Sequence, residues 1–237
     1  MADLISTYTM EGRKAVSLLA DAYGLSVYES GNAYEVTITL DLMKRTAQAS
    51  RLSPWVGRVK KGNPRVGHIY GLGVSGYWGS TIEIETAVFP AREKGKGTIR
   101  FNDTAGSMAK DSVATAAAVV RLVTGKDLSD YDLHVNIVGG GNIDGPSAGA
   151  AITCAIVSAL ENRPLCQDWA VTGEISLSGD VKPVGGVMEK AFGARQAGMK
   201  GILIPEENKT DIDGTSLDME VVPVTHIREV LDKMLVK

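Results

Sequence analysis

Two hydrophobic rhythms divide the chain. Over residues 9–23, Ala15, Val16, Leu18, Leu19 and Ala22 fall at the three-and-four spacing of an amphipathic helix, and Gly24 predicts its end. A short β-like interval follows at 34–38, and Asp41 is placed to cap a second helix running to about Leu52. Ser53-Pro54 predicts the stop of that helix. Residues 57–65, with four basic side chains plus Gly62 and Pro64, read as an exposed linker. Two helices bury little apolar surface alone, so this segment is expected to belong to a larger helical unit.

From residue 66 the pattern becomes mixed. Strands are predicted at 66–74, 80–89 and 97–102, the second alternating as Ile82-Glu83-Ile84-Glu85. A helix is predicted from Ser107 to Val123, then a strand over 133–138, a glycine loop, and a helix from Ser147 to Leu160 that is apolar nearly all round. A helix of that kind belongs in the centre of a fold. A strand at 169–172, a hairpin over 175–184 around Ser178-Gly179-Asp180, a helix at 186–197, strands at 201–204 and 219–224 and a helix from 226 complete the chain. Strands and helices mix without strict alternation, which predicts an α+β fold. No internal repeat or low-complexity tract is visible.

Composition narrows the function. The 237 residues carry 25 basic and 28 acidic side chains, a net charge of −3, and 44% are hydrophobic. That is material for one real core, and it lacks the basic excess of a bulk nucleic-acid binder. Only 5% are aromatic, so base-stacking platforms are scarce. Cys154 and Cys166 have no zinc-ligand spacing and read as thiols in a reducing compartment. The stretches free of charged residues, 66–82 and 145–160, fall short of the roughly 20 residues that span a bilayer. With no basic-then-apolar leader at the start, a soluble cytoplasmic protein is expected.

The richest segment for chemistry is Gly139-Gly140-Gly141-Asn142-Ile143-Asp144-Gly145-Pro146-Ser147-Ala148-Gly149. It contains G-x-S-x-G and delivers Ser147 to a helix N-terminus, where unpaired N–H groups and a partial positive charge can hold an oxyanion. The bland alternative is that Ser147 caps the helix, since glycine-rich turns and serine caps are common. A serine nucleophile needs a base. Among His68, His134 and His226, a triad of Ser147, one of Asp211, Asp213 or Asp218, and His226 is formally available. The eight residues 139–146 between strand and serine argue against such an elbow, and all three histidines are expected to be structural.

The competing base is a lysine kept neutral by burial. At about 100° per residue, Lys190 shares an arc with Val187, Ala194 and Ala197, although Arg195 also falls on that side. A lysine on such a face either snorkels outward or is desolvated for use. No G-x-x-x-x-G-K-[ST] loop or H-E-x-x-H pair occurs, so neither a nucleotide nor a metal is expected in this chain. Asp21, Glu29, Glu83 and Glu85 read as solvated charges.

Taken together, Asp144-Gly145-Pro146-Ser147-Ala148-Gly149, Thr172-Gly173-Glu174-Ile175-Ser176-Leu177-Ser178-Gly179 and Pro183-Val184-Gly185-Gly186-Val187-Met188-Glu189-Lys190 closely resemble the proteolytic domain of Lon proteases. Ile202-Leu203-Ile204-Pro205 with Asn208-Lys209, and Arg65-Val66-Gly67-His68-Ile69-Tyr70-Gly71-Leu72, resemble it too. The resemblance covers about 65–237. It implies the α/β sandwich of the ribosomal-protein and galactokinase-like superfamily, with a short N-terminal helical appendage. It also implies a Ser–Lys dyad in which Ser147 is the nucleophile, Lys190 the general base and Thr172 the residue that orients the lysine. Backbone N–H groups of Gly145 and Ser147 would form the oxyanion hole. Asp144 matches an aspartate that contacts the lysine in closed relatives, and its turn reading stays open.

The Met108-Ala109-Lys110 region and Pro183-Val184-Gly185-Gly186 are similar to the B-type branch, and Ser107 stands where A-type members carry a glutamate. Residues 1–64 resemble the end of the small helical subdomain of an AAA+ ATPase plus a linker. ATP and magnesium are therefore implied only for a motor outside this chain. A homohexameric ring and unfolded polypeptide substrates, added as a strand beside Gly73 and Val74, are also implied. Two other readings are a galactokinase-like small-molecule kinase, whose glycine-serine loop cradles phosphate, and a non-catalytic interaction module with a protease fold.

Overall fold

In the computed structural model, which describes residues 5, 8, 12–50, 62–75, 78–102, 106–139 and 145–236, the chain divides into two units, Met1–Arg58 and Val59–Lys237. The first holds α1 (Gly12–Ser30) and α2 (Leu40–Ala49), joined through buried Leu18, Ala22, Met43 and Ala47. Three expectations change here. Helix α1 runs through Gly24, because one glycine costs a helix only about 1 kcal/mol. The cap of α2 is Thr39, whose Oγ1 accepts from the Leu42 N–H at 3.1 Å. Asp41 instead sits in the first turn and binds Arg45, which also holds Glu29. Residues 34–38 form no strand, since no described strand lies beside them to take their backbone groups. Leu52, Ser53-Pro54 and residues 57–61 of the linker lie outside the described residues.

The second unit is built on β1 (Arg65–Val66), β2 (His68–Ser75), β3 (Trp78–Pro90), β4 (Ile99–Phe101), α3 (Ser107–Thr124), β5 (Tyr131–Ile137), α4 (Gly149–Glu161), β6 (Pro164–Leu165), β7 (Trp169–Val171), β8 (Glu174–Ile175), β9 (Val181–Lys182), α5 (Val187–Gln196), β10 (Gly201–Pro205), β11 (Glu220–Val224) and α6 (Ile227–Met234). Seven strands form one mixed sheet in the order β11-β10-β7-β2-β3-β5-β4. The run β11, β10, β7, β2 is parallel, while β3 is antiparallel to both β2 and β5. The class is α+β, as expected.

Strand alternation sorts the two faces. Ile69 and Ile84 point to the side of α4, which is buried from Gly149 through Ser158 and backed by α3 and α6. Leu72 points the other way, to α5, packing with Val187, Ala191 and Ala194. The predicted 66–74 strand is interrupted at Gly67, whose φ of +67° divides β1 from β2. The predicted hairpin is present as β8 and β9, paired Glu174 to Lys182 and Ile175 to Val181.

Candidate active site

Ser147 does not begin the central helix. Pro146–Ala148 form a single 3-10 turn ahead of α4, and the cap position of α4 is Ala148. The capping alternative is therefore not realised, and among the described residues the Ser147 hydroxyl has no hydrogen-bond partner. Its backbone is held firmly instead. The Ser147 carbonyl accepts from the Gly173 N–H at 2.9 Å and from Thr172 Oγ1 at 3.3 Å. The Ala150 N–H donates back to the Gly173 carbonyl at 3.1 Å, and Ser112 Oγ reaches the Pro146 carbonyl at 3.4 Å. Thus the end of β7 latches the turn that carries the serine. Standing in the first turn, the Ser147 N–H has no earlier carbonyl of that turn to bond.

Lys190 lies in the second turn of α5, on the face predicted from Val187, Ala194 and Ala197, all of which are buried. The helix starts after Gly186, whose φ of +68° turns the chain from the preceding loop. It then crosses β3 with backbone against backbone at Gly79 and Gly193. A Cβ on Gly193 would come within 2.3 Å of the Gly79 carbonyl. That proximity seals the lysine stem between sheet and helix, and Lys190 is 2% exposed. Burial pushes its pKa down to about 8. Among the described residues no carboxylate pairs with it. Arg195, the other cation on this side, stays half-buried over the Phe192 ring.

Ser147 and Lys190 line one open cleft of about 500 Å³, with Val74, Glu174, Gly186 and Glu189 among its walls. Their side chains are not hydrogen-bonded to each other. Thr172 is fully buried beside the turn that carries the serine. Its hydroxyl donates to the Ser147 carbonyl, because the same strand end already grips that carbonyl through Gly173. Gly145 is half-buried and extended immediately before the turn, whereas Asp144 lies outside the described residues. Val74 belongs to the cleft, and Gly73 sits one residue back, paired with Ser80. Strand β7 pairs with β2 only at Tyr70 and Gly71. Among the described residues, Leu72 to Ser75 therefore have β3 on one side and no strand on the other.

The histidines stand apart from this cleft. His226 caps α6, its Nδ1 accepting from the Arg228 N–H at 3.1 Å, so the Ser147–His226 triad is not assembled. His134 is an exposed residue of β5. Buried His68 lies between Gln167 and Glu83. Two wider clefts beside β4, about 760 and about 670 Å³, bring no serine or cysteine to a base among their described walls.

Comparison with known proteins matches residues 54–237 to the family model of the Lon protease (S16) C-terminal proteolytic domain. The chain belongs to the Lon protease family. Lon protease 2 of Bacillus subtilis (strain 168) is 38% identical over 99% of this chain and 44% of its own length. The archaeal Lon protease of Thermoplasma volcanium is 39% identical over 72% of the chain and 28% of its own length. The Lon protease of Erwinia amylovora is 38% identical over 74% of the chain and 23% of its own length. This chain thus spans less than half the length of these Lon relatives. They are proteases, which speaks against the small-molecule kinase.

Some residues that shape the site escape sequence reasoning. Gly79 and Gly193 let α5 touch β3, and Gly149 lies where a Cβ would come within 2.9 Å of Ser112 Oγ. A glycine inside a strand is a recognised sign of close backbone approach, and Gly79 within 78–90 carries that sign. Sequence spacing also hides a cluster: His68, Glu83 and Glu85 bring one ligand atom each within 4.8 Å of one another, with Arg65 pairing to both carboxylates. Glu83 and Glu85 are therefore half-buried partners rather than plain solvated charges.

Proposed function

We propose that this chain is a serine endopeptidase domain that cuts unfolded polypeptide with a Ser147–Lys190 dyad. The observation that carries the reading is the shared cleft: a serine whose hydroxyl is not used for capping, and a buried lysine that no carboxylate of the described residues pairs with. With a pKa of about 8, roughly a tenth of Lys190 is neutral at pH 7, against well under a thousandth for an ordinary lysine. The neutral amine takes the Ser147 proton as Oγ attacks the peptide carbonyl carbon, and the ammonium then returns it to the leaving amine. Water, activated by the same amine, hydrolyses the ester. Catalytic hydrogen bonds are often long before substrate binds, which accords with the unjoined side chains here.

N–H groups of Gly145 and Ser147 hold the oxyanion. Thr172 supports the serine through its carbonyl, and Asp144 is kept as a contact of the lysine in a closed form. Substrate adds as a strand along the edge of β2 at Gly73 and Val74 that no described strand covers, where its backbone can complete the ladder. Residues 1–64 serve as the end of an AAA+ small helical subdomain, and the whole assembly is a cytoplasmic homohexamer powered by ATP and magnesium at a motor outside this chain. The superfamily assignment to the ribosomal-protein and galactokinase-like sandwich belongs to the same reading. To test it, an unfolded fluorogenic protein is incubated without nucleotide with wild type, Ser147→Ala and Lys190→Met. Slow cleavage lost in both variants is expected. Equal inertness of all three would favour a non-catalytic module.

A further inference from the structure

The geometry points to a second site: a divalent-metal site formed by His68, Glu83 and Glu85 on the β2–β3 ladder, suited to zinc or a similar first-row transition metal. In the register His68 faces Glu85 and Tyr70 faces Glu83, so all three donors project from one face of the sheet. Their ligand atoms already lie within 4.8 Å of one another. Imidazole with carboxylates is a donor set for such ions.

A second observation concerns the tautomer. Gln167 Nε2 donates to the His68 carbonyl at 2.9 Å and to the Leu165 carbonyl at 2.8 Å. Its Oε1 is thereby fixed toward His68 Nδ1 and must accept a hydrogen bond from the Nδ1–H. Nε2 is aimed at Glu83 in a hydrogen bond, so a proton lies between the two that a metal would displace as it takes the Nε2 lone pair. A histidine whose far N–H is anchored by an oxygen is the outer-shell arrangement of metal-binding imidazoles. The ring is 2% exposed and cannot swing away.

Arg65 currently balances the two carboxylates, at 3.5 Å from Glu83 and 3.3 Å from Glu85. Its side chain is 52% exposed, so a metal can displace it into water. Three protein donors leave a position for water. Val74 of the cleft lies on the same strand, about 20 Å away at the usual rise per residue. The metal would clamp β2 to β3 without touching the cleaved bond.

The test is titration of the purified chain with Zn²⁺ against a chromophoric chelator, with Co²⁺ absorption and thermal unfolding alongside. One equivalent is expected to bind, and a hundredfold excess over Kd should raise Tm by roughly 5–10 °C. Glu85→Gln, at a half-exposed position, should weaken binding by about tenfold or more. Arg65→Ala should tighten it by removing the competing cation. Failure of wild type to bind in the micromolar range, or unchanged binding in both Glu85→Gln and Arg65→Ala, would overturn the site. His134→Ala and His226→Ala should leave the affinity as in wild type, and loss in either would overturn it as well.

Discussion

A methyl group on Gly79 would come within 2.7 Å of the Lys190 Cα and within 1.7 Å of the Glu189 carbonyl oxygen. The lysine is therefore positioned by a strand that donates no side chain to the cleft. Gly79→Ala must push α5 off β3, and displacement of a reacting group by about 1 Å can cost roughly 100-fold in rate. We expect kcat for an unstructured peptide to fall about 10- to 100-fold. Overpacking should also lower stability by about 1–3 kcal/mol, measured by urea unfolding. A variant with wild-type kcat would show that α5 is not placed by this contact.

The same buried amine makes activity depend on pH. The neutral fraction of Lys190 rises about tenfold from pH 6 to 7 and levels off above its pKa of about 8. The kcat/KM profile should follow this limb.

Stability carries the opposite signature to an ordinary ion pair. An unfolded lysine titrates near 10.4, above the folded value, so the unfolded chain binds more protons between about pH 8 and 10.4. Stability rises with pH across that window. At pH 7 the penalty is fully present, and Lys190→Met should stabilise the domain by about 1–3 kcal/mol while removing hydrolysis. Denaturant unfolding at pH 7 and pH 10 checks the sign, because the gain should shrink at the higher pH.

Thr172→Val separates two roles for the threonine. The bond to the Ser147 carbonyl is one of two, and the Gly173 N–H remains. Loss of about 1 kcal/mol and a kcat decrease of roughly threefold to tenfold are expected, with the pH profile unmoved. A shifted profile would mean that the hydroxyl contacts the amine during turnover.

Val74 is 43% exposed on the edge of β2 that no described strand covers. Val74→Glu should raise KM for an extended peptide several-fold with kcat within about twofold, since it disturbs docking and not the dyad. Thermal stability should change by no more than about 0.5 kcal/mol.

The central helix was readable from sequence because its apolar residues leave no face for water, and it is buried from Gly149 through Ser158. The buried arc of α5 was readable from the spacing of Val187, Ala194 and Ala197. The start of α4 was not, since a 3-10 turn and an α-helix share the same local residues there and Gly173 selects between them through a long-range bond. Likewise Gly24 looked like a stop, but one glycine is too weak to end a helix, and beyond it Glu29 is held by Arg45 of α2.

By itself the order of residues determined the family, the α+β class and the residue types at the cleft, because periodicity and motif are local properties. Only the tertiary structure decided that Gly79 brings α5 against β3, that the Ser147 carbonyl is gripped by β7's end, and that His68 meets Glu83 and Glu85 across a ladder. Those relations join segments far apart in sequence. Pairing register and backbone approach set them, and no short stretch of chain encodes either one alone.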